Sequence, residues 1–261
     1  YFYKLHKEAQ EQKDWWTGVF KASETDILDK EELVSAQEMM SEDLYDQEFE
    51  CSFQAAITGS YYGALIEDLQ KNNRITSVPY DENLEVETWW DLGLKDSTAI
   101  WFVQKYRDEF RIIDYEENSG EGLDFYADLL DSKPYKYDRH IAPHDIKVRE
   151  LGAFGKSRLE SALELGISFD IAPKLSIEDG IEAVRKTLPK CYFDKEKTYQ
   201  GVEALKAYQK KWDDKNQCFK NRPIHNFASH PADAFRYGCT FIGGKMTDWK
   251  KEVYVNTNYI V

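Results

Sequence analysis

The chain has 261 residues, of which 42% are hydrophobic and 15% aromatic. This length and composition predict a sizeable core, in one large domain or a domain with a smaller appendage, and they exclude intrinsic disorder. The net charge of −14 argues against a general nucleic-acid coat protein, because nonspecific DNA binding depends on basic surfaces.

The sequence also argues against a membrane segment and a disulfide framework. No apolar run approaches the ~18 residues that a membrane helix needs, and YFYKLHKEAQ at the start lacks the order of a signal peptide. The cysteines form no CxxC pair, which predicts reduced thiols and no zinc site: Cys51, Cys191, Cys218 and Cys239. The first residue is not Met, so we expect a piece of a longer protein or a processed form.

Residues 1–60 differ in pattern from the rest of the chain. The run DWWTGVF (14–20) predicts a strand, and Asp29 with Glu32 marks the start of a helix. Alternating apolar residues in EFECSF (48–53) predict a strand with one buried face.

Residues 58–85 are polar and irregular, and we place a boundary in the loop KNNRITSVPYDEN (71–83). The predicted parts of the chain are therefore an N-terminal segment, 1–70, and a main domain, 71–261.

The main domain begins with three strand-like runs at 86–91, 98–104 and 109–116. The joints between these runs are short enough for hairpins. A helix fits residues 122–131, and a strand fits 137–143.

A capping box formed by Ser157 and Glu160 predicts a helix that ends at Gly166. The remaining predicted elements are a strand at 167–172, a helix opened by Ser176, a helix at 198–211, a polar hairpin at 212–227 and a last helix beginning near Pro231.

The order of these elements favours an α/β fold with a mixed sheet flanked by helices, after an N-terminal linker segment. It is the order of a ribonuclease-H-like fold. In that fold the first and fourth strands lie side by side, so we expect Asp91 and Asp145 to be neighbours.

Three acidic residues occupy positions where a strand end or a helix start directs a side chain inward. Asp91 ends the run VETWWD, Asp145 ends RHIAPHD, and Asp233 lies at a helix start in SHPADAFRY. Three carboxylates from distant parts of a chain can hold divalent metals, and two ions ~3.5–4 Å apart are a known means of cutting a phosphodiester bond. The pattern therefore predicts a metal-dependent nuclease.

Each of these positions also has a simpler interpretation. Asp91 and Asp96 suit a hairpin turn, although Asp96 would be an accessory metal contact in a nuclease. Asp145 suits a cap or a solvated loop. Asp233 suits a first-turn acid that the helix dipole stabilises, and His230 then packs or caps instead of serving as a proton shuttle or partner.

Basic residues follow Asp145 in a local cluster: Lys147, Arg149, Lys156 and Arg158. In an acidic chain, such a cluster is a candidate contact to DNA phosphates. The alternative is ordinary solvated surface. In the first case the DNA contact would be local, the metals would offset the charge of the site carboxylates, or another domain would hold the DNA.

Other catalytic classes have little support in the sequence. There is no GxxxxGK[ST] phosphate loop, so ATP hydrolysis by this chain is not expected. The sequence also contains no GxSxG motif and no GxGxxG motif after a strand. His140 and His144 form HxxxH on a strand-to-loop segment without a central Glu, which argues against zinc.

Taken together, three motifs resemble the C-terminal part of the large terminase subunit of tailed bacteriophages. They are WWDLGLKDSTAIWF (89–102), IAPHD (141–145) and SHPADAFRYG (229–238), which match in order and spacing. The segment QEFECSFQAAITGSYYG (47–63) is similar to the one that joins this family's ATPase to its nuclease.

The resemblance implies a ribonuclease-H-like nuclease of a packaging motor that cuts concatemeric viral DNA with two Mg²⁺ or Mn²⁺ ions. The implied metal ligands are Asp91, Asp145 and Asp233, and residues 1–70 would be the tail of the ATPase domain and a linker. The implied partners are double-stranded DNA, the ATPase domain of the same full-length chain, the small terminase subunit and the portal protein. The implied location is the cytoplasm of the bacterial host.

Two rival functions remain open from the sequence. The first is another ribonuclease-H-like enzyme, such as a junction resolvase or transposase, which would prefer branched or end-specific DNA. The second is a non-catalytic scaffold of the same fold, which metal titration would distinguish from both enzymes.

Overall fold

The computed structural model describes residues 9–10, 12, 14–25, 27–39, 45, 49–50, 59–93, 97–148, 156–213, 216 and 218–255. The chain divides into two compact units, the smaller made of 1–60 with 209–224 and the larger of 61–208 with 225–261. Within the described ranges, no helix is both long and apolar enough to cross a membrane.

The described helices are α1 (Ala22–Thr25), α2 (Lys30–Met39), α3 (Gly63–Lys71), α4 (Leu123–Ser132), α5 (Arg158–Glu164), α6 (Ile177–Thr187), α7 (Tyr199–Ala207) and α8 (Ser229–Val255). The strands are β1 (Ile75–Thr76), β2 (Val86–Asp91), β3 (Ser97–Tyr106), β4 (Glu109–Ser119), β5 (Tyr137–Ala142), β6 (Phe169–Ile171), β7 (Cys191–Asp194), β8 (Lys210–Asp213) and β9 (Cys218–Pro223). Single 3-10 turns span His144–Lys147 and Leu188–Lys190.

A seven-stranded mixed sheet forms the centre of the larger unit, in the order β1-β7-β4-β3-β2-β5-β6. Strand β3 runs antiparallel to both of its neighbours, β2 and β4, and every other neighbouring pair is parallel. The pairing of β2 with β5 confirms that the first and fourth strands of the predicted pattern lie side by side.

Helices cover both faces of this sheet, as the sequence predicts. The core on one face includes Trp89 and Trp101, packed with α3, α6, α7 and α8. The core on the other face includes Trp90 and Tyr126, packed with α4 and α5. Because side chains alternate along a strand, Asp91 projects on the same side as Trp89.

The first turns of α8 lie very close to the sheet. Gly238 faces Trp89, and a Cβ at this position would overlap the indole. Phe235 packs its ring against Trp89 and Trp101, with centroid distances of 5.1 and 5.3 Å. The indole nitrogen of Trp101 donates to the carbonyl of Pro231 at 2.9 Å. These contacts fix the start of α8 over the end of β2.

Two sequence-based assignments in the N-terminal part are wrong. Residues 14–20 form no strand. The large apolar side chains of this run, Trp15, Trp16 and Phe20, are exposed. The stretch 58–85, expected to be irregular, contains α3 and β1.

The predicted strand at 48–53 falls mostly outside the described residues, and the two that are described, Phe49 and Glu50, form a turn and a bend. The boundary near residue 70 between the two predicted parts of the chain stays a prediction.

The predicted helix at 198–211 is too long by four residues at its end. It stops at Ala207, and Lys210–Asp213 instead pair as β8 with β9. The predicted polar hairpin is confirmed with this earlier start. Within the smaller unit, the amide of Lys210 donates to the carbonyl of Gly59 at 2.8 Å.

The described cysteines Cys191, Cys218 and Cys239 are free thiols. Cys191 and Cys239 are buried in the core, where burial raises the pKa of each thiol. Cys51 lies outside the described residues.

Replacing Gly238 by Ala tests the close approach of α8 to the sheet. We expect Gly238→Ala to lower the free energy of unfolding by about 3 kcal/mol, because the added methyl forces α8 away from Trp89. The measurement is urea unfolding followed by tryptophan fluorescence.

Gly243→Ala is the matched control in the same helix, since a Cβ there meets no atom of the described residues within 4 Å. We expect this variant to be as stable as the wild type or up to ~1 kcal/mol more stable, from helix propensity alone. Equal stability of the two variants would contradict the close packing of α8 on Trp89.

Candidate active site

Asp91 is the last residue of β2, and its side chain is 16% exposed. Burial raises the pKa of its carboxyl, and the negative charges of Asp233 and Asp145 raise it further. A hydrogen bond from His230 acts in the opposite direction. The carboxyl group of Asp91 is therefore largely buried and lies within the electrostatic influence of two other acidic residues.

Asp145 reaches the same edge of the sheet from the neighbouring strand. Strand β5 runs parallel to β2 and ends at Ala142, so the carboxyl ends of both strands meet at one edge. Asp145 follows on the 3-10 turn and is exposed. No side chain of the described residues donates a hydrogen bond to its carboxylate.

Asp233 comes from α8, and here the sequence-based position needs a correction. The helix begins at Ser229 and has no acidic residue in its first turn, so Asp233 lies in the second turn. A role as a first-turn acid stabilised by the helix dipole is therefore weakened, since that effect is confined to the end of the helix.

Arg236 holds one oxygen of Asp233. Its Nη2 and Nε donate to Oδ1 at 2.9 and 3.3 Å. Burial lowers the pKa of this guanidinium, but the charge and hydrogen bond of Asp233, together with the effects of Tyr237 and Tyr208, outweigh burial, so the pKa is raised. The pair leaves Oδ2 of Asp233 without a hydrogen bond from the described residues.

His230 contacts Asp91 directly. The distance from its Nδ1 to Oδ2 of Asp91 is 2.8 Å, and because a carboxylate only accepts, the imidazole is the donor. His230 lies three residues before Asp233, so both face the sheet from one side of α8. The predicted accessory position of His230 is thus next to Asp91.

The three aspartates act on one another and on a common neighbour. Burial raises the pKa of Tyr237, and the positive charge of Arg236 lowers it. The negative charges of Asp233, Asp91 and Asp145 each raise it further. As the side chains stand, no group of three His, Cys, Asp or Glu residues in the described part of the chain is arranged to hold a metal ion. The three aspartates come from three separate elements, and their negative charges act together on Tyr237.

The residues of the predicted basic cluster differ in their exposure and in their contacts. Lys147 is exposed, and Lys156 forms an exposed ion pair with Glu164. Arg158 Nη1 donates to the carbonyl of Leu92 at 2.7 Å, which ties α5 to the residue that follows Asp91. Arg149 and the predicted accessory residue Asp96 lie outside the described residues.

His140, the first histidine of the HxxxH pattern, is half-buried. Burial lowers its pKa to about 4, so the ring is neutral near pH 7. Its Nδ1 lies 2.6 Å from the hydroxyl of Thr88, and its ring packs beside Trp90.

Sequence reasoning missed Arg236 and Tyr237 as neighbours of the aspartates. The signal was present in DAFRYG, because a residue three positions after an aspartate lies on the same helix face. Arg236 also packs on the ring of Tyr237, with 4.7 Å from the guanidinium carbon to the ring centroid.

No family model and no curated protein matches the sequence. Among solved structures, the large terminase of a thermophilic bacteriophage in complex with ATP-γ-S is 17% identical over 92% of this chain and 59% of its own, with a TM-score of 0.54. The nuclease domain of the P22 large terminase is 18% identical over 66% of this chain and 89% of its own, with a TM-score of 0.52. The SPP1 large terminase nuclease domain with bound Mn is 20% identical over 61% of this chain and 86% of its own, with a TM-score of 0.46.

The chain therefore has the ribonuclease-H-like fold of large terminase nuclease domains, and the resemblance that the motifs indicate is confirmed at the level of the fold. It spans about three fifths of the length of the thermophilic bacteriophage terminase.

Asp233→Asn tests the ion pair with Arg236 in the absence of metal. We expect a loss of about 1–2 kcal/mol in the free energy of unfolding, because the buried guanidinium loses its counter-charge. The measurement is urea unfolding in EDTA.

Asp145→Asn is the matched control, because Asp145 is exposed and repelled by Asp91. We expect its stability to stay within ~0.5 kcal/mol of the wild type. An Asp233→Asn protein as stable as Asp145→Asn would show that the ion pair contributes little.

Proposed function

We propose that this chain is a metal-dependent DNA endonuclease that cuts concatemeric viral DNA during genome packaging. Two observations support the proposal: Asp91 and Asp145 follow neighbouring parallel strands to one edge of the sheet, and the charges of Asp145 and Asp233 both act on Asp91. The likeness to large terminases at the level of the fold agrees with it.

The chemistry of these side chains suits a hard divalent cation such as Mg²⁺ or Mn²⁺. All three are carboxylates, and oxygen ligands are the ones that these ions prefer. Burial raises the pKa of Asp91 and the charges of Asp233 and Asp145 raise it further, and a cation bound among the three carboxylates would relieve this repulsion. Because Asp145 is exposed, its side chain can turn toward the other two without breaking a packed contact.

We assign different roles to the three aspartates. Asp91 would be the ligand that the sheet supplies to the ions, Asp145 would be a ligand from the turn after β5, and Asp233 would be a ligand from α8. Arg236 orients Asp233 by holding Oδ1, and His230 orients Asp91 from the helix. When bound, the ions supply Lewis-acid activation of water and of the scissile phosphate.

Phosphate contact in this proposal is local. Lys147, Lys156 and Arg149 follow Asp145 and are the proposed contacts to the DNA backbone. Arg158 joins them in the sequence, although its bond to Leu92 gives it a structural task as well. Since the chain as a whole is acidic, we propose that other parts of the packaging machine provide most of the grip on DNA.

The proposed partners follow from the same function. They are double-stranded DNA, an ATPase domain in the full-length chain, the small terminase subunit and the portal protein, in the cytoplasm of a bacterial host. These partners are proposed from the resemblance of the three motifs to large terminases, whose fold this chain shares.

Cleavage of supercoiled plasmid tests the proposal. We expect nicking or linearisation with Mn²⁺ or Mg²⁺ and none in EDTA, because an all-carboxylate site does not function without a cation. Asp91→Asn and Asp145→Asn should each reduce the rate at least ~100-fold, since each removes a charged metal ligand.

Asp108→Asn is the control, with the same substitution in an exposed turn at the opposite end of β3. It should cut at the wild-type rate. Cutting that persists in EDTA, or that Asp91→Asn does not reduce, would refute the proposal. Strong preference for branched over linear DNA would favour a resolvase instead, and failure of the protein to bind Mn²⁺ would favour a non-catalytic scaffold.

A further inference from the structure

Glu117 lies in the same row of the sheet as Asp91. Asp91 pairs with Ala99 across β2 and β3, and Ala99 pairs with Glu117 across β3 and β4. Directly paired residues project from the same face, so both carboxylates stand on the α8 side. Only the methyl group of Ala99 lies between them in this row.

Two donors hold Glu117 by one of its oxygens. The hydroxyl of Tyr115 donates to Oε2 at 2.8 Å, and Nε2 of Gln200 donates to the same atom at 3.1 Å. Oε1 receives no hydrogen bond from the described residues. The carboxylate is thus fixed in orientation, with one oxygen left for another donor.

The buried phenol of Tyr115 connects this carboxylate to the aspartate cluster. Burial raises the pKa of Tyr115, and the negative charges of Glu117 and Asp91 raise it further. Both carboxylates therefore act on the same hydroxyl, which stays protonated and remains a donor. Glu117 belongs to the same negative region as Asp91, on its β4 side.

We propose that Glu117 is a positioning residue for divalent cations at the aspartate cluster. It would accept hydrogen bonds, through Oε1, from water molecules coordinated to an ion on the β4 side of Asp91. This inference rests on the proposed metal-dependent function, and it adds a fourth carboxylate, in a role distinct from those of Asp145 and Asp233.

The spacing favours contact through water over direct ligation. Two strand spacings of ~4.8 Å separate the backbones at Asp91 and Glu117. A hydrated ion suits such a gap, because Mg²⁺ and related ions keep several of their waters in protein sites. Outer carboxylates that bind the ligands of a metal typically change its affinity by ~10–100-fold.

The competing role for Glu117 is purely structural. Gln200 lies in the first turn of α7, so Glu117 also holds the start of that helix. Glu117→Gln separates the two roles. The amide oxygen of glutamine can still accept from Tyr115 and Gln200, whereas the NH₂ group that replaces Oε1 can no longer accept from a coordinated water.

The test compares Mn²⁺ binding by calorimetry in four proteins: wild type, Glu117→Gln, Asp91→Asn and Glu109→Gln. Glu109 is the matched control, because it lies in the same strand at the far end from the site. Metal-free thermal melts accompany each titration, and plasmid cleavage with Mn²⁺ is measured on the same preparations.

We expect Glu117→Gln to melt like the wild type without metal, to bind at least one Mn²⁺ about tenfold more weakly, and to cut DNA more slowly. Glu109→Gln should match the wild type throughout. Wild-type Mn²⁺ affinity in Glu117→Gln, or weakened binding explained by a lower metal-free melting temperature, overturns this inference alone. Absence of Mn²⁺ binding by the wild type, or undiminished binding by Asp91→Asn, overturns the proposed function as well.

Discussion

The packing of α8 against β2 and β3 determines where the carboxylates of this protein meet. Gly238 allows the helix to lie on Trp89, and the bond from Trp101 to Pro231 fixes its first turn. With the helix held in this way, His230 and Asp233 are brought over the end of β2, where Asp91 lies. A helix displaced by one side-chain layer would carry both residues away from Asp91.

The negative charges of the aspartates repel one another, and neighbouring hydrogen-bond donors reduce this repulsion. Burial raises the pKa of Asp91, and the charges of Asp233 and Asp145 raise it further. His230 donates to Asp91, Arg236 donates to Asp233, and Asp145 stays in water. These partners keep the cluster stable without a cation. In the proposed enzyme they also orient the side chains so that little reorganisation is needed when ions bind.

Local sequence patterns predicted most of the central fold. The alternation in β2 to β5 and the capping box at Ser157 are properties of neighbouring residues, and each appears where the sequence indicates. The order of these elements was enough to predict that β2 and β5 are neighbours, because their parallel pairing follows from the fold. Helix α3 was missed although Ile66 and Leu69 are spaced for one helix face, since polar residues dominate the stretch around them.

What the sequence could not predict depends on register and on partners far apart in the chain. Strand β4 runs beyond the expected end at residue 116 to Ser119, which places Glu117 in the row of Asp91. The run DWWTGVF has strand-forming residues, but a strand requires a partner to pair with, and propensity alone does not supply one. The bond between Arg158 and Leu92 joins residues from different elements, so no local pattern signals it.

The most direct test of the account is anomalous diffraction from crystals of this chain soaked in Mn²⁺. The account predicts Mn²⁺ bound by Asp91, with oxygens of Asp145 and Asp233 also at direct ligand distances of about 2–2.5 Å. A saturating soak that shows Mn²⁺ elsewhere, with these three aspartates keeping their metal-free positions, would contradict it.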